Sequence, residues 1–326
     1  MSERIAAKAL VLPFQRQDQN FPTSENPWLF LNASVLPNAV GLHEGLVCEQ
    51  SFRPIFCALQ KHSYVVEAEV LQKAFAGALV LIDKSKSRSQ DLIARAVEQC
   101  RENAAIMVAG EKDTGIASVK KWVSQRVQLV DTFAKYHSQV FTFLATEEAK
   151  LVFSKLKPNS SNGLFGGGKI DAGSQLLVST FDDSIGGDIA DFGAGTGFLC
   201  QALAERSKPE ALHLYEAEKR ALSVAESKRE EFSCPVFFYW HDLTAERVTK
   251  RFDWVIMNPP FHFGKTTDPA IGQAMIKMAR ISLRPGGKLR LVGNRQLPYE
   301  QTLQKHFGAY SELVSNNGFK VLQARC

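Results

Sequence analysis

The run Trp254-Val255-Ile256-Met257 halts at Asn258-Pro259-Pro260-Phe261, and few folds accommodate such a junction. The run is short and bulky with no polar alternation, which is the pattern of a strand buried on both faces. Two prolines cannot continue a central strand, because they fix φ and donate no ladder hydrogen bond. A strand covered on both faces needs helices on both sides, so the junction points to an α/β sheet. Ligands of open α/β sheets bind beyond the carboxyl ends of the strands, which puts Asn258, Pro259 and Phe261 on a functional rim.

Alternating signals around this run fit such a sheet. Ile189-Ala190-Asp191 reads as a strand tail, Phe198 to Arg206 as a helix, Leu212 to Glu216 as a strand, Glu218 to Glu230 as a helix and Val236 to Trp240 as a strand. After the Asn-Pro-Pro junction come a helix from about Pro269 to Leu283, the turn Arg284-Pro285-Gly286-Gly287 and the strand Lys288 to Val292. A closing pair, Tyr310 to Val314 and Phe319 to Ala324, reads as an antiparallel hairpin.

The first half carries a fainter version of the same order. Leu29 to Leu31 and Gly45 to Cys48 read as short strands, and Ala78 to Asp83 as a clear one; a helix follows from Ser89 to Arg101, then the strand Ala105 to Ala109. Gln128 to Val130 with Val140 to Leu144 parallels the closing hairpin, so the chain reads as an internal duplication. Where the second half has Asn258 to Phe261, the first has Lys84-Ser85-Lys86-Ser87, and it has no early glycine loop. Lys84, Lys86 and Arg88 read as a solvated charged loop, with contact to RNA phosphates as the sharper alternative. Residues 1 to about 30 read as an irregular lead-in, and the boundary falls near Thr146 to Asn162, where Lys157 to Asn162 is a polar, turn-rich linker. The expected domains are 1–150 and 163–326.

Asp191-Phe192-Gly193-Ala194-Gly195-Thr196-Gly197 follows a strand and opens a helix, and its glycines allow a tight turn with close approach to a ligand. The spacing is Gly-x-Gly-x-Gly rather than the dinucleotide Gly-x-Gly-x-x-Gly, and Asp191 at the entrance suits an ammonium group and repels a pyrophosphate. Glu216 closes the next strand, where an acid accepts ribose hydroxyls. Asp242, followed by Leu243, closes the third and can accept an adenine amine. Ammonium, ribose and adenine together describe S-adenosylmethionine, with Asp191, Phe192, Gly193, Gly195, Gly197, Glu216, Asp242 and Leu243 as the candidate cofactor residues.

In this order the motifs resemble those of class I amino-group methyltransferases, and the duplicated α/β chain reads as two tandem Rossmann-like domains. Gly163-Leu164-Phe165, Asp171 to Leu177, Asn258 to His262 and Leu297-Pro298-Tyr299 resemble, more closely, the bacterial 16S ribosomal RNA guanine-N2 methyltransferases. That resemblance covers roughly Gly163 to the C-terminus, and Gly110 to Gly115 resembles the family more weakly. It implies a catalytic C-terminal domain with a seven-stranded sheet, a degenerate N-terminal methyltransferase-like domain, and ribosomal RNA or the small ribosomal subunit as substrate. Phe263, after Asn-Pro-Pro-Phe-His, departs from the polar or acidic residue usual there. Asp171, Ser174 and Gln175 have two readings, a cover for the methionine end of the cofactor or a capped helix start. His213, His241 and His262 read as neighbours rather than ligands, and no metal is expected.

For the target amine, Asn258 and the Pro259 carbonyl would accept its N–H groups while Phe261 stacks on the base. Large-subunit guanine, adenine N6 and protein glutamine are the alternative amines, and a catalytically silent RNA-binding assembly protein is the alternative of another class. Composition narrows the setting: 326 residues, 45% hydrophobic and 22% charged, are ordinary for a globular chain of about two domains. A formal net charge of +5 is compatible with RNA without requiring it. No apolar stretch approaches the roughly 20 residues that span a bilayer. The six cysteines lie far apart, with no Cys-x-x-Cys. The expected setting is a cytoplasmic monomer with reduced thiols.

Overall fold

The computed structural model describes residues 4–37, 41–156, 171–260, 262–263, 266–267 and 269–326. Contacts divide the chain into two units, residues 1–163 and 164–326. The linker Lys157 to Asn162, the segment Gly163-Leu164-Phe165 and Phe261 lie outside the described residues.

The first unit contains α1 (Ile5–Gln15), β1 (Trp28–Leu31), β2 (Leu46–Glu49), α2 (Arg53–Lys61), β3 (Val65–Glu67), β4 (Phe75–Leu81) and α3 (Lys86–Gln99). It continues through β5 (Cys100–Glu111), α4 (Ile116–Ser124), β6 (Leu129–Lys135), β7 (Ser138–Leu144) and α5 (Glu147–Ser154). Its sheet runs β3-β2-β1-β4-β5-β7-β6, with only the last strands antiparallel.

The second unit contains α6 (Ala172–Val178), β8 (Gly186–Phe192), α7 (Phe198–Arg206), β9 (Lys208–Glu216), α8 (Lys219–Glu226), β10 (Val236–Trp240) and β11 (Phe252–Met257). There follow the short antiparallel pair β12 (His262–Phe263) and β13 (Thr266–Thr267), then α9 (Pro269–Ser282), β14 (Leu283–Asn294), α10 (Tyr299–Phe307), β15 (Tyr310–Asn316) and β16 (Phe319–Arg325). The large sheet runs β10-β9-β8-β11-β14-β16-β15. Strand for strand, this is the order of the first sheet, and each ends in an antiparallel hairpin, so the chain is two tandem Rossmann-like α/β folds.

Cores lie on both faces of each sheet, as continuous apolar strands require. In the second unit, Ile189, Trp254 and Ile256 face one layer with Leu199 and Leu203 of α7, while Ala190, Val255 and Met257 face the other with Met275 and Ile276 of α9.

Three expectations are adjusted. The lead-in is not wholly irregular: α1 buries Ala6, Leu10 and Phe14 despite Pro13 in its last turn. The boundary segment holds α5, capped by Thr146 Oγ1, which accepts the Ala149 N–H at 3.1 Å. Arg284 to Gly287 turns as expected, but as a bulge inside β14: Leu283 pairs with Phe252 and Lys288 with Trp254, and Gly286 has φ of 81°. There the Gly286 N–H donates to Cys326 O at 3.0 Å and the Cys326 N–H to Gly287 O at 2.8 Å, so pairing bridges Pro285.

Candidate active site

The register of three neighbouring parallel strands assembles the rim. Phe192 pairs with Tyr215 on one side and Met257 on the other, so Gly193, Glu216 and Asn258 emerge together one step beyond. Trp240 pairs with Glu216, which sets Asp242 just past the same edge. The predicted positions, excepting Phe261, therefore share one sheet edge.

The glycine loop is held by backbone bonds. The N–H groups of Gly193 and Ala194 both donate to Tyr215 O, at 2.9 and 3.1 Å, and that of Gly197 donates to Ala194 O at 2.9 Å. Gly193, Gly195 and Gly197 have φ of 81°, 56° and 85°, the left-handed region that favours glycine. A Cβ on Gly195 would meet nothing within 4 Å, so the loop faces open space there. On Gly197 it would stand 3.2 Å from the Ala225 Cβ, so that glycine lets α7 start close against α8.

Asp191 is completely buried. Its Oδ2 accepts the Cys200 thiol at 3.4 Å, and its Oδ1 has no hydrogen-bond partner. Burial raises its pKa to about 7; the thiol bond opposes the rise and the Glu216 charge adds to it. A buried carboxylate oxygen without a donor is costly, and an ammonium group is one donor suited to satisfy it. Phe192, also fully buried, packs edge-on against Tyr215 with centroids 5.4 Å apart, bracing the strand end beneath the loop.

Glu216 Oε2 accepts the Gly195 N–H and its Oε1 the Glu218 N–H, both at 2.8 Å. Burial raises its pKa while these N–H groups oppose the rise. Asp242 Oδ1 accepts both the N–H and the hydroxyl of Thr244, at 2.8 and 2.6 Å. The Asp-x-Thr spacing is the local signal of that turn. Leu243 is buried in the core layer that also holds Tyr215 and Met257. An orphaned acid oxygen, an open glycine loop and two anchored acids fit the methionine, ribose and adenine parts of S-adenosylmethionine.

Asn258 is half-buried, Pro259 buried and Pro260 exposed. The Asn258 amide nitrogen donates to Ser174 Oγ at 2.8 Å and lies 3.3 and 3.2 Å from the two oxygens of Asp171. Asp171 also caps α6, accepting the Ser174 N–H at 3.1 Å, so one carboxylate serves the helix and the amide. Asp171 does cap the helix start, and the contact of Asp171 and Ser174 with Asn258 spans more than eighty residues and leaves no sequence signal.

His213 is buried in β9, with Nδ1 3.1 Å from the Tyr239 hydroxyl and Nε2 3.4 Å from Asp188 Oδ1, and burial lowers its pKa. His241 Nε2 lies 3.0 Å from Glu246 O. Arg88 is not part of an exposed basic loop: it is buried, 2.9 Å from Asp91, while Lys84 and Lys86 are exposed. Among the described residues no group of three His, Cys, Asp or Glu could hold a metal, and no helix is long and apolar enough to cross a membrane.

Two family descriptions match this chain, methyltransferase small domain over residues 155–323 and methyltransferase small domain N-terminal over residues 52–157. Ribosomal RNA small subunit methyltransferase C of Photorhabdus laumondii is 29% identical over 272 residues, 78% of this chain and 79% of its own. The protein of the same name from Yersinia pseudotuberculosis is 31% identical over 258 residues, 74% of this chain and 72% of its own. A solved T. thermophilus 16S rRNA N2 methyltransferase, in complex with AdoMet and guanosine, superposes with a TM-score of 0.79 at 21% identity, covering 95% of this chain and 90% of that one.

Proposed function

We propose that this chain, which belongs to the methyltransferase small domain family, transfers a methyl group from S-adenosylmethionine to the exocyclic N2 amine of a guanine in small-subunit ribosomal RNA. The observation that carries this reading is the Asn258 amide, anchored through its nitrogen, on the same sheet edge as the glycine loop and Glu216. The relatives' name supplies the RNA class, and the guanosine in the T. thermophilus complex supplies the base.

The exocyclic amine of guanine is a weak nucleophile because its lone pair is delocalised into the ring. With its nitrogen committed to Ser174 and Asp171, Asn258 offers Oδ1 to one N–H of the amine, and the Pro259 carbonyl accepts the other. Those two bonds turn the lone pair out of the ring plane and aim it along the cleft, so orientation substitutes for a strong base. When bound, S-adenosylmethionine supplies an electrophilic methyl on a sulfonium, whose C–S pair stays with sulfur. The nitrogen gains the methyl and gives up one proton to solvent. In this reading Phe261 stacks on the base, which must leave any helix to enter the cleft.

The first unit is, on the same reading, the copy without chemistry. At the strand position that corresponds to Glu216 stands Gln50, whose Oε1 accepts the Phe52 N–H at 2.9 Å as Glu216 Oε1 accepts the Glu218 N–H, so a neutral amide replaces the acid that would take a ribose.

Mapping methylated guanines in 16S rRNA from cells with and without the protein tests the function. One N2-methylguanine that disappears with the protein, and returns on incubation with purified protein and cofactor, is the expected result. An unchanged map, or a methyl lost instead from large-subunit RNA or from adenine, overturns it.

A further inference from the structure

The amide of Asn258 can face the substrate with either its oxygen or its nitrogen, and only the oxygen accepts an N–H. We propose that Asp171 and Ser174 are positioning residues that decide this orientation. The inference rests on the reading of Asn258 as the amine acceptor.

Ser174 Oγ lies 2.6 Å from Asp171 Oδ2, and a carboxylate can only accept, so the hydroxyl proton points at Asp171. The hydroxyl then has only lone pairs left for Asn258, whose amide nitrogen is 2.8 Å away. The same nitrogen lies 3.3 and 3.2 Å from the Asp171 oxygens, so three acceptors surround its two hydrogens. Turning the amide over would set its oxygen against these acceptors. Both hydrogens are thus spent on the protein, and Oδ1 is left for the substrate. Close approach is built in: a Cβ on Gly173 would stand 3.0 Å from Asp171 Oδ1 and 3.1 Å from the Phe319 ring.

Asp171→Asn tests this, because asparagine caps a helix as well as aspartate does while losing the acceptor-only character that orders the chain of bonds. With saturating cofactor, kcat on small-subunit RNA should fall by about 10- to 100-fold, as small misplacements at a reacting centre do. Cofactor affinity and the thermal midpoint should stay as they are. Asn258→Asp alone sets two carboxylates face to face, and adding Asp171→Asn restores a donor–acceptor match, so the double variant should outrun Asn258→Asp. If Asp171→Asn lowers the thermal midpoint by more than a few degrees, Ser174→Ala replaces it, with the same expected split between kcat and cofactor affinity.

The inference is overturned if kcat is unchanged in these variants while Asn258→Ala abolishes turnover. It is overturned too if cofactor affinity drops while kcat at saturation holds, which would make the pair part of the cofactor cover, or if the double variant is no better than Asn258→Asp. Full turnover by Asn258→Ala would instead remove the reading of the site itself.

Discussion

The Gly195 N–H donates to Glu216 Oε2 at 2.8 Å, so the acid that closes β9 also fixes the middle of the glycine loop that follows β8. The other oxygen of Glu216 is held by the Glu218 N–H. Each oxygen keeps a lone pair for a hydroxyl. Glu216→Gln must turn an NH2 group toward one of these N–H donors, which breaks one anchor and weakens acceptance of the hydroxyls. Because burial already disfavours the charge, the neutral side chain should fold well. Calorimetric titration should show S-adenosylmethionine binding weakened by about 10- to 100-fold, the worth of a charge-assisted hydrogen bond. Equal affinity would mean that Glu216 only braces the loop.

Gly195 and Gly197 separate cofactor approach from packing. Both have positive φ, which costs a residue with a Cβ about 1–2 kcal/mol. Beyond that shared cost, a Cβ on Gly195 enters open space and one on Gly197 crowds Ala225 at 3.2 Å. Gly195→Ala should therefore melt only slightly lower and lose cofactor binding, whereas Gly197→Ala should show the larger drop in thermal midpoint. Melting curves with and without cofactor read both quantities, and the reverse order would contradict this assignment.

What the sequence disclosed and what it hid follow from the range of the interactions. Trp254 to Met257 was legible because a strand buried on both faces writes its burial into consecutive residues. The rim acids were legible for a related reason, since a carboxylate directly after an apolar run must sit at a strand end. Helix α1 was hidden, because its first turn is capped from afar: the Ala6 N–H donates to Glu111 Oε1 at 3.0 Å, and no Ser, Thr, Asp or Asn precedes it at the cap, where Arg4 stands. The pairing on both sides of the Arg284 to Gly287 bulge was hidden likewise, since distant Phe252 and Cys326 supply the partners. At the site, Asp191 and its open oxygen grow from one local motif, whereas Asp171, Ser174 and Asn258 meet only after the sheet has formed.

In the first unit, Glu49 is 3% exposed and its carboxylate is held by Arg95, with Nη1 at 2.6 Å from Oε1. Breaking a buried pair costs about 3–5 kcal/mol, and without Arg95 the Glu49 carboxylate keeps only the looser ion pair with Arg88, whose Nη2 is 4.0 Å from Oε1. Arg95→Met should therefore destabilise this unit strongly in urea unfolding, and Glu49→Leu combined with Arg95→Met should recover most of the loss. Cofactor affinity should follow neither change wherever the chain stays folded. A single Arg95→Met variant as stable as the parent would show that Arg88 or water takes over Glu49.

Asp191 makes cofactor binding depend on pH in a defined direction. Folding raises its pKa from 3.8 to about 7, chiefly by burial, so the native chain holds this proton more tightly than the unfolded chain does. The stability from that proton is fully present below the unfolded pKa and is lost as pH climbs through about 7, leaving a buried carboxylate with one oxygen unpaired. An ammonium group set against that oxygen favours the ionised form, so binding at pH 6 must expel a proton. Affinity for S-adenosylmethionine should then rise by about tenfold per pH unit between 5 and 7. It should level off above that, where α-amino groups, with pKa of about 8, begin to lose their own charge. Calorimetry at pH 6 in two buffers of different ionisation enthalpy reads the released proton directly. Asp191→Asn should bind more weakly at pH 7 and flatten the slope below it. An affinity that is level from pH 5 to 7, with no proton released, would take Asp191 away from the ammonium.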